Sequence, residues 1–306
     1  MSRVQPRPED FLELVERSKR GRLKLYVGFA AGVGKTYRML EEAHALKKRG
    51  VDVVIGFVET HGRAETAALV EGLEVVPRRQ VAYRGFTVED MDLDAILARR
   101  PAVAIVDELP HTNPPGSRHN KRYQDVQDIL AAGINVIGAL NIQHLESLKD
   151  VVERATGVVI RETVPDTFLK QADQIVNLDL AIEDLVDRLK SGKIYAAEKV
   201  DTALGNFFRQ ENLAALRELA LREVAESVDR TASVRLPGAD DHKTTAERVM
   251  VCISSQSPRG PALLRRGSRF AGRLNTDWYA VYVETPGEAP NRIDSAVQRQ
   301  LIATIS

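Results

Sequence analysis

Apolar positions in this chain fall into short unbroken runs, and the stretches between those runs carry apolar residues at helical spacing. LKLYVGF (23–29), VDVVIGFVE (51–59), AVAIVDE (102–108), NVIGALNI (135–142) and the shorter QIVNLD (174–179) predict buried strands. Residues 36–49, VEDMDLDAILARR (88–100), residues 121–132 and LESLKDVVERATG (145–157) predict the helices between them. Unbroken apolar runs are expected of strands covered on both faces, so the alternation predicts a mostly parallel sheet with helices on each side. A further amphipathic helix is expected at 8–20, opened by Pro8 and stopped by Gly21. Residues 181–230 are almost wholly helical in pattern. Leu213, Leu216, Ala220 and Val224 share one stripe there, expected to pack on the preceding domain.

The pattern changes at TASVRLPGADDHKTT (231–245), which reads as a linker. A second alternation follows: a strand at 248–254, a helix at 261–275, a strand at 277–284 and a helix at 291–306. Two strands and two helices make a poor independent sheet, so this unit is expected either to dock on something or to be part of a larger one. The expected organisation is an α/β domain over 1–230 with a helical C-terminal part, a linker over 231–245 and a partial α/β unit over 246–306.

Length and composition narrow the function. The 306 residues suggest about two domains. Lys+Arg and Asp+Glu number 43 each, so the balanced charge argues against a nucleic-acid binder. The single cysteine, Cys252, can form neither an internal disulfide nor a thiolate cage. No run approaches the ~18 apolar residues of a membrane span, and MSRVQPRPEDFLEL has no apolar leader core. A cytoplasmic location is the expectation.

The strongest chemical signal is GFAAGVGKT, residues 28–36. A buried strand runs into a glycine-rich turn, and a helix opens at the Lys-Thr pair. Successive backbone N–H groups in such a turn converge on an anion, and the helix terminus adds partial positive charge. Gly32, Val33, Gly34, Lys35 and Thr36 are therefore the expected phosphate cradle for ATP, with the Thr36 hydroxyl also directed at Mg²⁺. One departure stands out: the first glycine of G-x-x-x-x-G-K-[ST] is replaced by Phe29, with Gly28 one position earlier.

A nucleotide site of this class needs an acid at the end of a nearby strand. AVAIVDE supplies Asp107 for Mg²⁺ and Glu108 as a candidate catalytic base for water. ETHGRAET (59–66), HTNPPGSRHNKR (111–122) and NIQHLE (141–146) follow three of the strands. They are expected to carry His61, His111, His119 and His144 to one edge of the sheet, where open α/β folds bind ligands. The histidine intervals do not match a zinc site. No arginine finger is evident, with Arg63 and Arg118 the candidates, so hydrolysis is expected to be slow.

GFAAGVGKTYRML, GFVETHGRAET, IVDELPHTNPPGSRHNKRYQD and NVIGALNIQHLESL, in that order and spacing, resemble the N-terminal cytoplasmic region of the KdpD family of potassium-responsive sensor histidine kinases. The resemblance covers about residues 8–230. It implies a P-loop ATP-binding regulatory domain that tunes kinase and phosphatase activities located elsewhere in the protein. The implied partners are the remainder of a sensor kinase or its response regulator, with a homodimer left open. Family members are attached to the inner membrane through segments not found in this sequence.

From about residue 246 the chain is similar to the start of a universal-stress-protein-like domain. Some family members bind cyclic di-AMP there. The resemblance places that ligand against Ser255, Ser257, Trp278, Ala280 and Tyr282. The plainer reading, a capping serine and core aromatics on an ordinary strand, is preferred. Two other functions stay open for the whole chain. One is a stand-alone P-loop NTPase, small-molecule kinase or transferase. The other is an interaction scaffold whose nucleotide site is dead.

Overall fold

A computed structural model describes residues 19–83, 86–234, 249–253, 260–273 and 278–282. The central sheet is built from six parallel strands: β1 (Leu23–Gly28), β2 (Val53–Phe57), β3 (Glu74–Val75), β6 (Val103–Val106), β7 (Asn135–Asn141) and β8 (Gln174–Leu178). Their order is β3-β2-β6-β7-β1-β8, every neighbouring pair parallel. Such an order requires crossovers, and helices supply them: α1 (Lys35–Lys48), α2 (Ala64–Ala68), α3 (Leu93–Arg99), α4 (Arg122–Ala131), α5 (Lys149–Thr156) and α6 (Asp166–Lys170).

Alternate residues of each strand serve opposite faces. Leu25 and Val27 of β1 join one buried cluster with Val54, Ala104, Val106 and Val136. Tyr26 joins the other, with Ile55, Ile105 and Ile137 under Met39, Leu40 and Ala43 of α1. Burying both faces is what makes these strands apolar throughout.

The chain departs from the predicted pattern at 79–100. Val88–Asp90, expected as the start of a helix, instead belongs to β5 (Phe86–Asp90), which pairs antiparallel with β4 (Arg79–Tyr83) outside the main sheet. Helix α3 begins only after Asp92, whose side chain accepts from the Ala95 N–H at 2.9 Å. An N-terminal cap of this kind offers the chain a local reason to start the helix there, and cross-strand pairing claims the residues before it.

Beyond β8 come α7 (Ile182–Lys190), α8 (Ala197–Gly205) and α9 (Gln210–Val234). Leu213 and Leu216 of α9 are fully buried and Ala220 nearly so, within the main core cluster. Each buried leucine contributes on the order of 2 kcal/mol from the apolar area removed from water. This packing is the one the stripe predicted. Helix α9 runs to Val234, into the stretch read as a linker.

The last described elements are β9 (Val249–Ile253), α10 (Gly260–Arg273) and β10 (Trp278–Tyr282), with β9 and β10 parallel. Helix α10 docks on the 3₁₀ turn at Glu146–Leu148: Arg265 bonds both oxygens of Asp150 at 2.8 and 3.2 Å, and Arg269 donates to the Ser147 carbonyl. The helices expected at 8–20 and 291–306 fall in segments outside the described residues, apart from Lys19 and Arg20 at the end of the first.

Candidate functional site

The register of β1 places the glycine-rich turn. Gly28 sits opposite Asn141 at the end of β7 and Leu178 at the end of β8. The turn 29–34 therefore emerges at the carboxyl edge, flanked by residues of both neighbours. Phe29 turns its ring into the core and is 1% exposed. Its backbone is not among the positive-φ positions, so nothing at that position demands a glycine. Gly32 and Gly34 do have positive φ, 91° and 102°, and Gly34 opens α1.

Glycine at 28 has a steric reason too. A Cβ there would lie 2.5 Å from Val33 Cγ2 and 3.3 Å from Lys35 Cδ. A cradle this tight keeps the Lys35 side chain running back beneath the turn. Lys35 Nζ donates to the Ala30 carbonyl at 3.0 Å and to Asn141 Oδ1. Burial pushes its pKa down to about 8, against the pull of Asp107 and Glu108.

β7 lies between β1 and β6, yet Thr36 Oγ1 on α1 reaches Asp107 Oδ2 at the end of β6 at 2.7 Å. Asp107 Oδ1 accepts the Glu108 N–H at 2.8 Å, and the Asp107 N–H donates to the Phe57 carbonyl at 2.8 Å. Burial, then the adjoining Glu108 charge, raises the Asp107 pKa. Glu108 leaves the strand with φ 53°, a left-handed backbone that a non-glycine residue adopts only when its surroundings insist. Across the cavity His61 has φ 51°, and its Nε2 lies 3.3 Å from Glu108 Oε1. That contact lowers the Glu108 pKa and raises that of His61.

These groups open into one cavity of about 810 Å³ at the carboxyl edge. Its walls include the turn 31–36, His61, Arg63, Asp107, Glu108 and His144. Partly buried His144 is held by a contact from Nδ1 to the Glu162 carbonyl at 2.9 Å, and burial lowers its pKa. The other two histidines lie elsewhere. His119 pairs with Asp128 at 2.9 Å, and His111 lies 3.7 Å from Asp90. Arg118 bonds Asp94 and Asp128, so of the two arginine candidates only Arg63 lines the cavity. Glu59 pairs with Arg78 at 3.5 Å.

Three features had no clear signal in the sequence. Asn141 partners Lys35. Arg188 of α7 donates to the Gly32 carbonyl at 3.1 Å, and Ile194 packs over Gly32, where an added Cβ would meet Ile194 Cδ1 at 2.2 Å. Arg122 lies 1% exposed behind the acids, paired with Asp90 at 2.5 Å, its guanidinium 3.7 Å from the Phe57 ring centre. It also donates to the carbonyls of Asp107 and Glu108, both at 3.4 Å.

In the second unit, Trp278 and Ala280 lie on β10, and Tyr282 closes it opposite Ile253. Tyr279 and Ala280 are exposed rather than core residues. Ser255 and Ser257 lie outside the described residues.

Fold and site together define a mostly parallel α/β protein of the P-loop-NTPase-like class, its polar cavity at the strand carboxyl ends. Residues 19–228 match the family described as "KdpD: Osmosensitive K+ channel His kinase sensor domain". The chain is 47% identical over 304 residues to the sensor protein KdpD of Escherichia coli K12, covering 99% of this chain and 34% of that protein. It is 50% identical over 277 residues to the putative sensor protein KdpD of Synechocystis, covering 90% of this chain and 74% of that one. It is 50% identical over 271 residues to the sensor protein KdpD of Mycobacterium tuberculosis, covering 87% and 31%. The chain belongs to the KdpD sensor-domain family, and it spans about a third of the length of the Escherichia coli and Mycobacterium relatives. Among the described residues no helix is long and apolar enough to cross a membrane.

Proposed function

We propose that this region binds ATP with Mg²⁺ and uses the bound nucleotide to tune the balance of kinase and phosphatase output of a KdpD-type sensor histidine kinase. The supporting observation is the meeting of Thr36 and Asp107, 2.7 Å apart at the mouth of the glycine-rich turn. A hydroxyl and a buried carboxylate side by side, next to a buried lysine, are the donor set that a magnesium-bound triphosphate needs. The fit extends to the turn itself, where left-handed Gly34, with nothing nearer than 4.0 Å to an added Cβ, leaves the backbone open to close approach by phosphate oxygens.

In this reading, residues 32–35 hold the phosphates through backbone N–H groups and the Lys35 ammonium. Thr36 and Asp107 hold the metal, which neutralises phosphate charge. Glu108, kept ionised by His61, accepts a proton from water, and turnover is slow. The partner that receives the signal is the rest of the sensor kinase or its response regulator.

Calorimetric titration of the chain with MgATP tests the reading. Saturable binding by the wild type, lost in Lys35→Ala with an unchanged circular dichroism spectrum, is the expected result. No saturable binding by the wild type removes it.

A further inference from the structure

The turn after β2 is closed by two consecutive left-handed residues, His61 and Gly62, with the Arg63 N–H donating to the Thr60 carbonyl at 3.0 Å. This turn faces His61 toward Glu108 and carries Arg63 into the cavity wall. The Arg63 guanidinium is poorly provided for. Its Nε is buried without a partner, and its one hydrogen bond is a long one, from Nη2 to the Ile194 carbonyl at 3.4 Å. Among the described residues it forms no ion pair. It nonetheless lies close enough to Lys35 to depress that lysine's pKa, and Asp107 and Glu108 are near enough to act on it. A partly desolvated guanidinium with an unused buried donor, beside Lys35 on the same cavity, makes a place for an anion.

The carbonyl that Arg63 does reach belongs to the strap between α7 and α8. That strap is tied to the glycine-rich turn by the Ile194 side chain over Gly32, and the end of α7 that leads into it by the Arg188 bond to the Gly32 carbonyl. Lys193 pairs with Glu65 at 3.3 Å on the outside. Tyr195, the residue after Ile194, packs its ring edge-on against buried Phe208, their centres 5.8 Å apart, and Phe208 lies between α8 and α9.

We propose that Arg63 is the residue that distinguishes a nucleoside triphosphate from a diphosphate in this cavity, and that the strap 191–196 is what its choice of partner moves. The inference rests on the nucleotide reading above. A terminal phosphate offers Arg63 a charge-assisted bond in place of a long one to a neutral carbonyl. When Arg63 turns to the phosphate, Ile194 loses its tie to the turn at 61–63. The change then reaches α8 and α9 through Tyr195 and Phe208. The device is a two-way competition for one guanidinium, so its effect is set by the difference in affinity between the two partners.

Calorimetry with MgATP and MgADP on the full chain, for wild type, Arg63→Ala and Arg63→Lys, tests this, together with hydrogen exchange of the peptide spanning 188–196. The expected result is a preference for MgATP of about tenfold or more in the wild type, one strong contact. Arg63→Ala should bring the ratio close to one, with MgADP affinity moving less than about threefold. Exchange in the strap should differ between the two nucleotides in the wild type and not in Arg63→Ala. If Arg63→Ala fails to fold, the ratio in Arg63→Lys decides, since a shorter single-headed cation should lower it. A ratio that survives both substitutions, or equal losses for both nucleotides, overturns the role of Arg63 while leaving nucleotide binding intact. A wild type that binds neither nucleotide overturns the underlying reading and this inference with it.

Discussion

The Thr36 hydroxyl and the Asp107 carboxylate are joined by a 2.7 Å hydrogen bond although a whole strand separates β1 from β6. The first turn of α1 leans over the end of β7 to make this contact. Thr36→Val removes the donor at nearly constant volume and leaves a buried carboxylate oxygen short of a partner. That costs about 1–3 kcal/mol. A lowered melting temperature, with Mg²⁺ no longer strengthening ATP binding, is expected. Thr36→Ser should retain both.

Lys35→Ala is expected to abolish ATP binding without loss of stability. The lysine is desolvated, as its pKa of about 8 records, so removing it relieves a buried charge. A thermal melt at or above the wild-type midpoint, beside a flat calorimetric trace, is the predicted pair of results. Unfolding of the variant would mean that Lys35 is a structural residue.

Gly32→Ala should destabilise the fold by about 2–4 kcal/mol, from a left-handed backbone penalty plus collision with Ile194. The collision part is testable separately. Ile194→Ala in the same chain removes the atom 2.2 Å from the new Cβ. Denaturant unfolding should show the double variant losing less than the sum of the two single losses. Strict additivity would mean the strap does not rest on the turn.

The Asp90–Arg122 pair is buried on both sides, 4% and 1% exposed. Asp90→Asn leaves the buried guanidinium charged and without its paired carboxylate, a loss of up to about 3–5 kcal/mol. Replacing both, as Asp90→Leu with Arg122→Met, should recover much of that. Urea unfolding of the three variants checks the order, and a double variant no better than Asp90→Asn contradicts it.

His61 and Glu108 define a pH window. The folded pKa of His61 is raised by Glu108, so its contribution is whole below its unfolded value and fades as pH climbs through the folded one. The folded pKa of Glu108 is lowered by His61, so its contribution is present above the unfolded value and fades as pH falls through the folded one. The ion pair is therefore fullest between about pH 4.3 and 6.5. Both partners are about half exposed, so the effect on stability is small and screened by salt. An NMR titration of the His61 ring should give a midpoint above that of a free histidine. Glu108→Gln should bring it down, and an unmoved midpoint would show that the contact is not an ion pair in solution.

Much of the architecture was legible because burial on both sheet faces leaves a direct trace in composition. The five apolar runs became β1, β2, β6, β7 and β8, with ends shifted by a few residues. The glycine-rich turn was legible for a similar reason: backbone geometry at Gly32 and Gly34 admits few other residues. The hairpin at 79–90 was not, because β4 and β5 are short, partly polar and defined by pairing with each other rather than by a buried face. The histidines show the same limit. All four follow strand ends or the loops beyond them, but only His61 and His144 turn into the cavity.

Sequence alone determined the alternation of strands and helices, the place of the turn after β1, and the residue types available to meet an anion there. These follow from local chemistry: apolar continuity, glycine freedom, and an acid at a strand end. Strand order was decided only in three dimensions, and with it the meeting of Thr36 with Asp107, of Lys35 with Asn141, and of Arg63 with Ile194. Each pair is separated by 71 to 131 positions along the chain. No local preference encodes such a distance; it is set by which strands lie side by side and by how the helices beyond β8 fold back over the turn.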